Sequence, residues 1–314
     1  MELRAASQPG RRGTWGAVAV LAGFLLLAPP LFVLAPFVLL TLASRPRTLR
    51  ELLWLGAALV GTGVVLQGSS GLALELIRDS ALVLAAVFLL VSMRGGSVLA
   101  RGLLAVLLTA VAIGIWEASR GVSWPELQSA FTTLLQDSYR ALLAPATAGG
   151  KPPNPELKSF LQPFIDAAPD FARALPGLLA LEGLAGLALA SLWHHRLAAR
   201  PLGRAPAPFR RFRFNDHLIW GAIFTLALLL APLPAPWKAV AVNLLVLGVG
   251  LYATRGLAVV AAVLAPAPGP PKLLAGILAI LLFPVALGLC LALGLADTWL
   301  DIRGRLAPPA PGGS

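Results

Sequence analysis

The sequence predicts an all-α, polytopic membrane protein with eight or nine membrane segments and an external amphipathic insert, and two observations carry that class. Hydrophobic residues make up 58% of the 314-residue chain and charged residues only 12%, with a mean hydropathy of +0.81. The apolar residues also fall in blocks, roughly 16–28, 31–43, 51–67, 73–93, 97–116, 174–194, 217–233, 238–265 and 272–296. Several approach the ~20 residues that cross a hydrocarbon layer at about 1.5 Å per helical residue. Backbone groups in lipid must be satisfied within their own segment, so the blocks are predicted as helices.

The first fifteen residues form a tail carrying Arg4, Arg11 and Arg12, and membrane helices follow over 16–116. Pro29-Pro30 and Pro36 interrupt the opening apolar stretch. A proline pair removes two donors and clashes with the preceding turn, so two short half-helices forming a hairpin are expected. That hairpin puts the "RPRTLR" run, Arg45 to Arg50, on the same side as the tail. Glu75, Arg78 and Asp79 have helical spacing and mark the external end of a span.

Residues 117–173 are more polar and form an extracytoplasmic insert. In it "WPELQSAFTTLLQDSYRALL" spaces its apolar residues as an amphipathic helix, with Ser123 as a cap ahead of Pro125 and Glu126. "PELKSFLQPFIDAAPDFARAL" reads as a second, interrupted one. A membrane helix over 174–194 leads to the basic loop 195–216, which holds six arginines between Arg196 and Arg213. The carboxyl-terminal membrane helices occupy 217–303, and 238–265 reads either as one helix or as two pieces broken near Thr254–Gly256. The tail 304–314, ending "APPAPGGS", reads as disordered.

A net charge of +11 would suggest nucleic acid in a soluble protein, but here the basic residues sit in loops between spans. Lys and Arg concentrate in cytoplasmic loops. The expectation is a multi-pass protein of the bacterial inner membrane with a cytoplasmic amino terminus, anionic headgroups at the basic loops, and no nucleic-acid partner. The single cysteine, Cys290, excludes a disulfide or cysteine metal site within one chain. The sequence has no HExxH, G-x-S-x-G or Walker loop, so no enzyme, metal or cofactor is expected.

A charge at membrane depth costs about 2.5–3.5 kcal/mol on insertion scales, so each one requires a reason. Glu182 in "LLALEGLAGLALA", Asn243, and Arg255 twelve residues later are the candidate ligand-binding residues. "LGLADTWLDIR" closes the last apolar block: Trp299, Asp301 and Arg303 suit an interfacial helix end, whereas acids there oppose the helix dipole. An Arg255–Asp297 pair would remove that penalty for Asp297.

Taken in order, "FNDHLIW" (Phe214 to Trp220), "NLLVLGVGLYATRGLAVV" (Asn243 to Val260) and "LGLADTWLDIR" resemble the YybS-like family of predicted bacterial membrane proteins, a domain of unknown function. The resemblance is best over the last hundred residues and implies a distant similarity to substrate-binding subunits of energy-coupling-factor vitamin transporters. Arg255, Asp297, Trp299, Asp301 and Arg303 match family motif positions that carry no assigned role. Two functions follow as expectations. One is a small-molecule-binding, transport-associated subunit served by a separate ATPase. The other is a non-transporting organiser that recruits envelope or division proteins.

Overall fold

The computed structural model describes residues 20–26, 28–68, 71–93, 96–143 and 155–306. The predicted tail over 1–15, and residues 307–314 of the other tail, lie outside the described residues. Regular structure among the described residues is helical: α1 (Leu31–Ala43), α2 (Leu49–Leu66), α3 (Leu72–Ser92), α4 (Val98–Ser119), α5 (Trp124–Leu143), α6 (Pro155–Leu197), α7 (Leu218–Leu230), α8 (Ala235–Val263), α9 (Gly269–Leu281), α10 (Phe283–Leu300) and α11 (Ile302–Leu306), with a 3₁₀ turn at Phe209–Arg211. Five of them, α2, α4, α6, α8 and α10, are long and apolar enough to cross a membrane, and α1, α7 and α9 are apolar but shorter. The chain divides into two compact units, Met1–Leu127 with Glu182–Pro206, and Gln128–Leu181 with Ala207–Ser314.

In the first unit the chain breaks at Pro29–Pro30 between a helical stretch at 20–26 and α1, as the proline pair requires. Pro36 stays inside α1 and cannot donate to the carbonyl of Phe32, four residues back. Gly186 of α6 fits against that carbonyl so closely that a Cβ would collide with it. α1 packs on α2 and α3, and α3 on α4. Phe37, Val38, Leu55, Ala58, Ala190, Trp193 and Leu197 form an apolar core among α1, α2 and the end of α6. Thr48 and Glu51 form a capping box at the start of α2. The other Glu51 oxygen accepts the Ala199 N–H at 2.7 Å. His194, fully buried, accepts the Leu202 N–H at 3.0 Å. The loop after α6 is thereby tied down over 198–202.

The second unit is organised around α8, which packs on α7, α10, α11 and the 3₁₀ turn. Two segments differ from the sequence expectation, and a third, left open there, is decided. The interrupted insert helix and the separate 174–194 span are one 43-residue helix, α6, running through Pro163, Pro169 and Pro176. Each proline removes one backbone bond, and at Pro169 a side chain replaces it, Gln136 donating to the Ile165 carbonyl at 3.5 Å. Between the two alternatives for 238–265, α8 is a single helix through Thr254–Gly256. The block at 272–296 is instead two helices. Pro284 cannot donate to the carbonyl of Ile280, and α9 stops before Leu282, whose φ −108 and ψ 39 leave the helical region ahead of α10.

At the entrance to α5, Glu126 accepts the Ser123 N–H at 2.7 Å. That bond holds its carboxyl below the usual carboxylate range.

α8 and α10 cross at two glycines. A Cβ on Gly256 would collide with the Cys290 carbonyl, and one on Gly294 with the Tyr252 carbonyl. Either Gly→Ala change must push the helices apart, an overpacking that typically costs about 1–3 kcal/mol. Gly256→Ala and Gly294→Ala are expected to lower the unfolding midpoint in detergent. Gly288→Ala, where a Cβ meets nothing within 4 Å, is expected to leave it unchanged.

Candidate functional site

The glycine crossing sets the second unit's charged centre. On α8, Tyr252, Arg255, Gly256 and Val259 are buried at helical spacing, and on α10 the buried pair is Gly294 and Asp297. Backbone contact at the glycines brings Arg255 and Asp297 together, and both are 0% exposed. Arg255 donates from Nε to Asp297 Oδ2 at 2.9 Å and from Nη2 to the Asp297 backbone carbonyl at 3.1 Å. That carbonyl lies in the last turn of α10, where no intrahelical donor is available, so Arg255 also caps the helix. Its Nη1 donates to Asp216 Oδ1 at 2.6 Å. The Phe214 ring covers the guanidinium, 5.3 Å from its centroid, and stands edge-on to Tyr252.

Beyond α10 the chain turns back at Asp301, which has φ 42 and ψ 52, a left-handed conformation that Asp tolerates better than most residues. The turn returns Arg303 to Asp297, with Nη2 on Oδ2 at 2.7 Å and Nε on Oδ1 at 3.4 Å. Nη1 of Arg303 donates to the carbonyls of Phe212 at 2.7 Å and Arg210 at 3.3 Å. Arg213 in turn donates to Asp301 at 2.7 Å. Three arginines and three aspartates thus interlock at one end of the α8–α10 pair. They fix the second half of the arginine-rich loop, "FRRFRFND", to the helix ends.

The sequence reading named Arg255, Asp297, Asp301 and Arg303, and all four meet in this network. Trp299 stands exposed and takes no part. Asp216, Arg213 and Phe214 lie in the basic run and the first family motif but are not among the candidate site residues of the sequence. Their signal was an acid at the junction between an arginine run and an apolar block, where a buried guanidinium on another helix finds a partner.

Asn243 lies twelve residues from Arg255, about 18 Å along the same helix, and is engaged differently. Its Oδ1 accepts the Gly177 N–H at 2.7 Å, and its Nδ2 donates to the Arg173 carbonyl at 2.9 Å and to the Ala239 carbonyl at 2.8 Å. Arg173 and Gly177 are a helical i, i+4 pair flanking Pro176. The Asn243 amide therefore bridges the α6 backbone where the proline disturbs it. A Cβ on Gly177 would lie 2.6 Å from the Asn243 carbonyl, so the two helices touch there. Glu182 belongs to the first unit and is half-buried on α6. Next to it Gly183 packs on Leu84 and Phe32. The Glu182 carboxylate makes no hydrogen bond or ion pair among the described residues. Among those residues no His, Cys, Asp and Glu cluster has the makeup of a metal site.

With this geometry in view, a protein-family comparison matches residues 16–298 to the family described as Predicted membrane protein (DUF2232). The chain belongs to that family. The match covers nearly all the membrane segments, well beyond the carboxyl-terminal motifs that first suggested the kinship, and runs across 117–173 as well. It contains Asp216, Asn243, Arg255 and Asp297 and stops short of Asp301 and Arg303. No curated protein and no solved structure matches the chain. As a DUF2232 member, it is a multi-pass membrane protein of a family without assigned function.

Two predictions follow from the bonds described. Asp297→Asn removes the fully buried one of the two carboxylates that Arg255 contacts, a loss of about 3–5 kcal/mol. It is read as a lower denaturation midpoint in micelles. Asp216→Asn, at a side chain 54% exposed, is expected to cost less than about 1 kcal/mol. Asn243→Leu removes the bridge to α6 at about 1–3 kcal/mol. Amide exchange over residues 170–182 should then accelerate, with the Gly177 N–H the most affected.

Proposed function

We propose that this DUF2232 protein is a non-transporting organiser of the bacterial inner membrane that recruits a soluble or membrane partner through a fixed basic platform on its cytoplasmic side. The single observation that supports this reading is the clamp of Arg303 on the Arg210 and Phe212 carbonyls, anchored through Asp297 and Arg255. A loop serving only as a connection needs no buried ion network beneath it. Here Arg210 and Arg211 stay exposed on a backbone held by membrane helices, an arrangement that presents positive charge at low entropic cost to an acidic surface. The excess of arginine in the loops supports a cytoplasmic position for this face and for the amino terminus. Anionic headgroups compete for the same charge. The platform carries no reaction of its own.

A second reading, a transport-associated subunit that holds a small polar molecule and relies on a separate ATPase, is favoured by one feature. Glu182 is a half-buried carboxylate without a protein partner among the described residues, on a membrane-crossing helix. Asn243 and Arg255, the other candidate ligands, spend their donors on α6, α10 and Asp216.

The two readings separate in one experiment. The full chain is purified from its own membranes in mild detergent, and co-purifying proteins and small molecules are identified by mass spectrometry. The organiser reading expects envelope or division proteins that disappear with Arg210→Glu plus Arg211→Glu and persist with Glu182→Gln. An ATPase or a stoichiometric metabolite that depends on Glu182 reverses the choice.

A further inference from the structure

A guanidinium withdrawn from water needs a counter-charge or a full set of acceptors. Arg101, at the close of the first turn of α4, is only 4% exposed, and no carboxylate lies within ion-pair distance of it among the described residues. Its Nε is buried without a hydrogen-bond partner there. Nη1 and Nη2 make long bonds to the backbone carbonyls of Ser92 at 3.4 Å and Arg204 at 3.3 Å. Ser92 is 5% exposed, and its hydroxyl too is buried without a partner.

One cavity of about 470 Å³ in the first unit is lined in part by Ser92, Gly203, Arg204, Leu89, Met93 and Leu202, and Arg101 stands directly behind that lining, bonded to the Ser92 and Arg204 carbonyls. Gly203 keeps the Arg101 tip close to that lining, since a Cβ there would sit 2.5 Å from Nη1. Arg204 adds an exposed second cation. Arg101 also lies in the amino-terminal turn of α4, which contributes further positive partial charge.

We propose that this cavity is an oxyanion site that takes a phosphate, carried either by an anionic phospholipid headgroup or by free phosphate. Arg101 supplies a buried positive charge behind the lining, Ser92 a hydroxyl in the wall that is free to turn toward the anion, and Arg204 the charge at the mouth. The apolar Leu89, Met93 and Leu202 match the glycerol and first methylenes of a lipid. The site lies wholly within the first unit and is independent of the partner-docking reading above.

The test uses the full chain in two arms. In the first, protein from nanodiscs of phosphatidylcholine with phosphatidylglycerol is exchanged into lipid-poor detergent, and retained lipid is counted by native mass spectrometry. One phosphatidylglycerol per chain is expected, with retention falling about tenfold in Arg101→Gln and Arg204→Gln, as loss of a charged hydrogen bond implies. Ser92→Ala should reduce it less, and Arg45→Gln plus Arg47→Gln, at exposed arginines elsewhere, should retain it. In the second arm, inorganic phosphate is titrated into protein in phosphatidylcholine-only nanodiscs. A rise in melting temperature that Arg204→Gln and Ser92→Ala reduce assigns the site to free phosphate. If Arg101→Gln fails to fold, Arg204→Gln and Ser92→Ala decide both arms. Wild-type retention in those two variants with no phosphate-dependent stabilisation overturns the site. A loss as large in the Arg45/Arg47 variant, which would mark general attraction of headgroups to basic residues, overturns it as well.

Discussion

The buried Arg255–Asp297 contact is the interaction on which the carboxyl-terminal half depends. Neither charge tolerates lipid or an apolar core alone, and together they do so only with the remaining donors and acceptors filled. Asp216, Arg303 and the end carbonyl of α10 complete that set. One electrostatic requirement therefore determines how α8 meets α10, how the chain reverses at Asp301, and where the arginine-rich loop is fastened. The dipole problem at the end of α10 has the same solution, because the cations that neutralise Asp297 also sit where negative partial charge accumulates.

Close approach is what makes that electrostatics possible. Gly256 lies on the Cys290 carbonyl, Gly294 on that of Tyr252, and, in the first unit, Gly186 on that of Phe32. In lipid, helices gain little from hiding apolar surface from one another, and small residues that admit backbone contact take over. At Phe32 the glycine meets a carbonyl that Pro36 has deprived of its helical donor. Proline and glycine on two different helices act there as one fitting.

Much of this was legible in the sequence because lipid makes its demands locally. A run of apolar residues must be helical, so the blocks appear in the structure with boundary shifts, and an arginine at membrane depth must find an acid, so Arg255 pointed to Asp297. The failures share a cause. α6 was divided because Pro163, Pro169 and Pro176 read as breaks, and the donor that meets the carbonyl opposite Pro169 comes from Gln136 on another helix. The division between α9 and α10 went unseen, although Pro284 was visible within its apolar run. Asn243 was singled out because a polar side chain at depth signals use without saying whose, and its bonds to the α6 backbone could not be read from the sequence. Asp216 was hidden by its exposed position next to arginines nearer in sequence.

The bridge from Asn243 to α6 also bears on the order in which the protein is made. α6 is synthesised before α8, so until α8 arrives the Gly177 N–H and the Arg173 carbonyl lack the amide that joins them in the finished structure. During that interval the turn from Arg173 to Gly177, beside Pro176, lacks the one side-chain bridge that the finished structure gives it. α8 brings that bridge with Asn243, so the bonding of an early helix is completed by a late one.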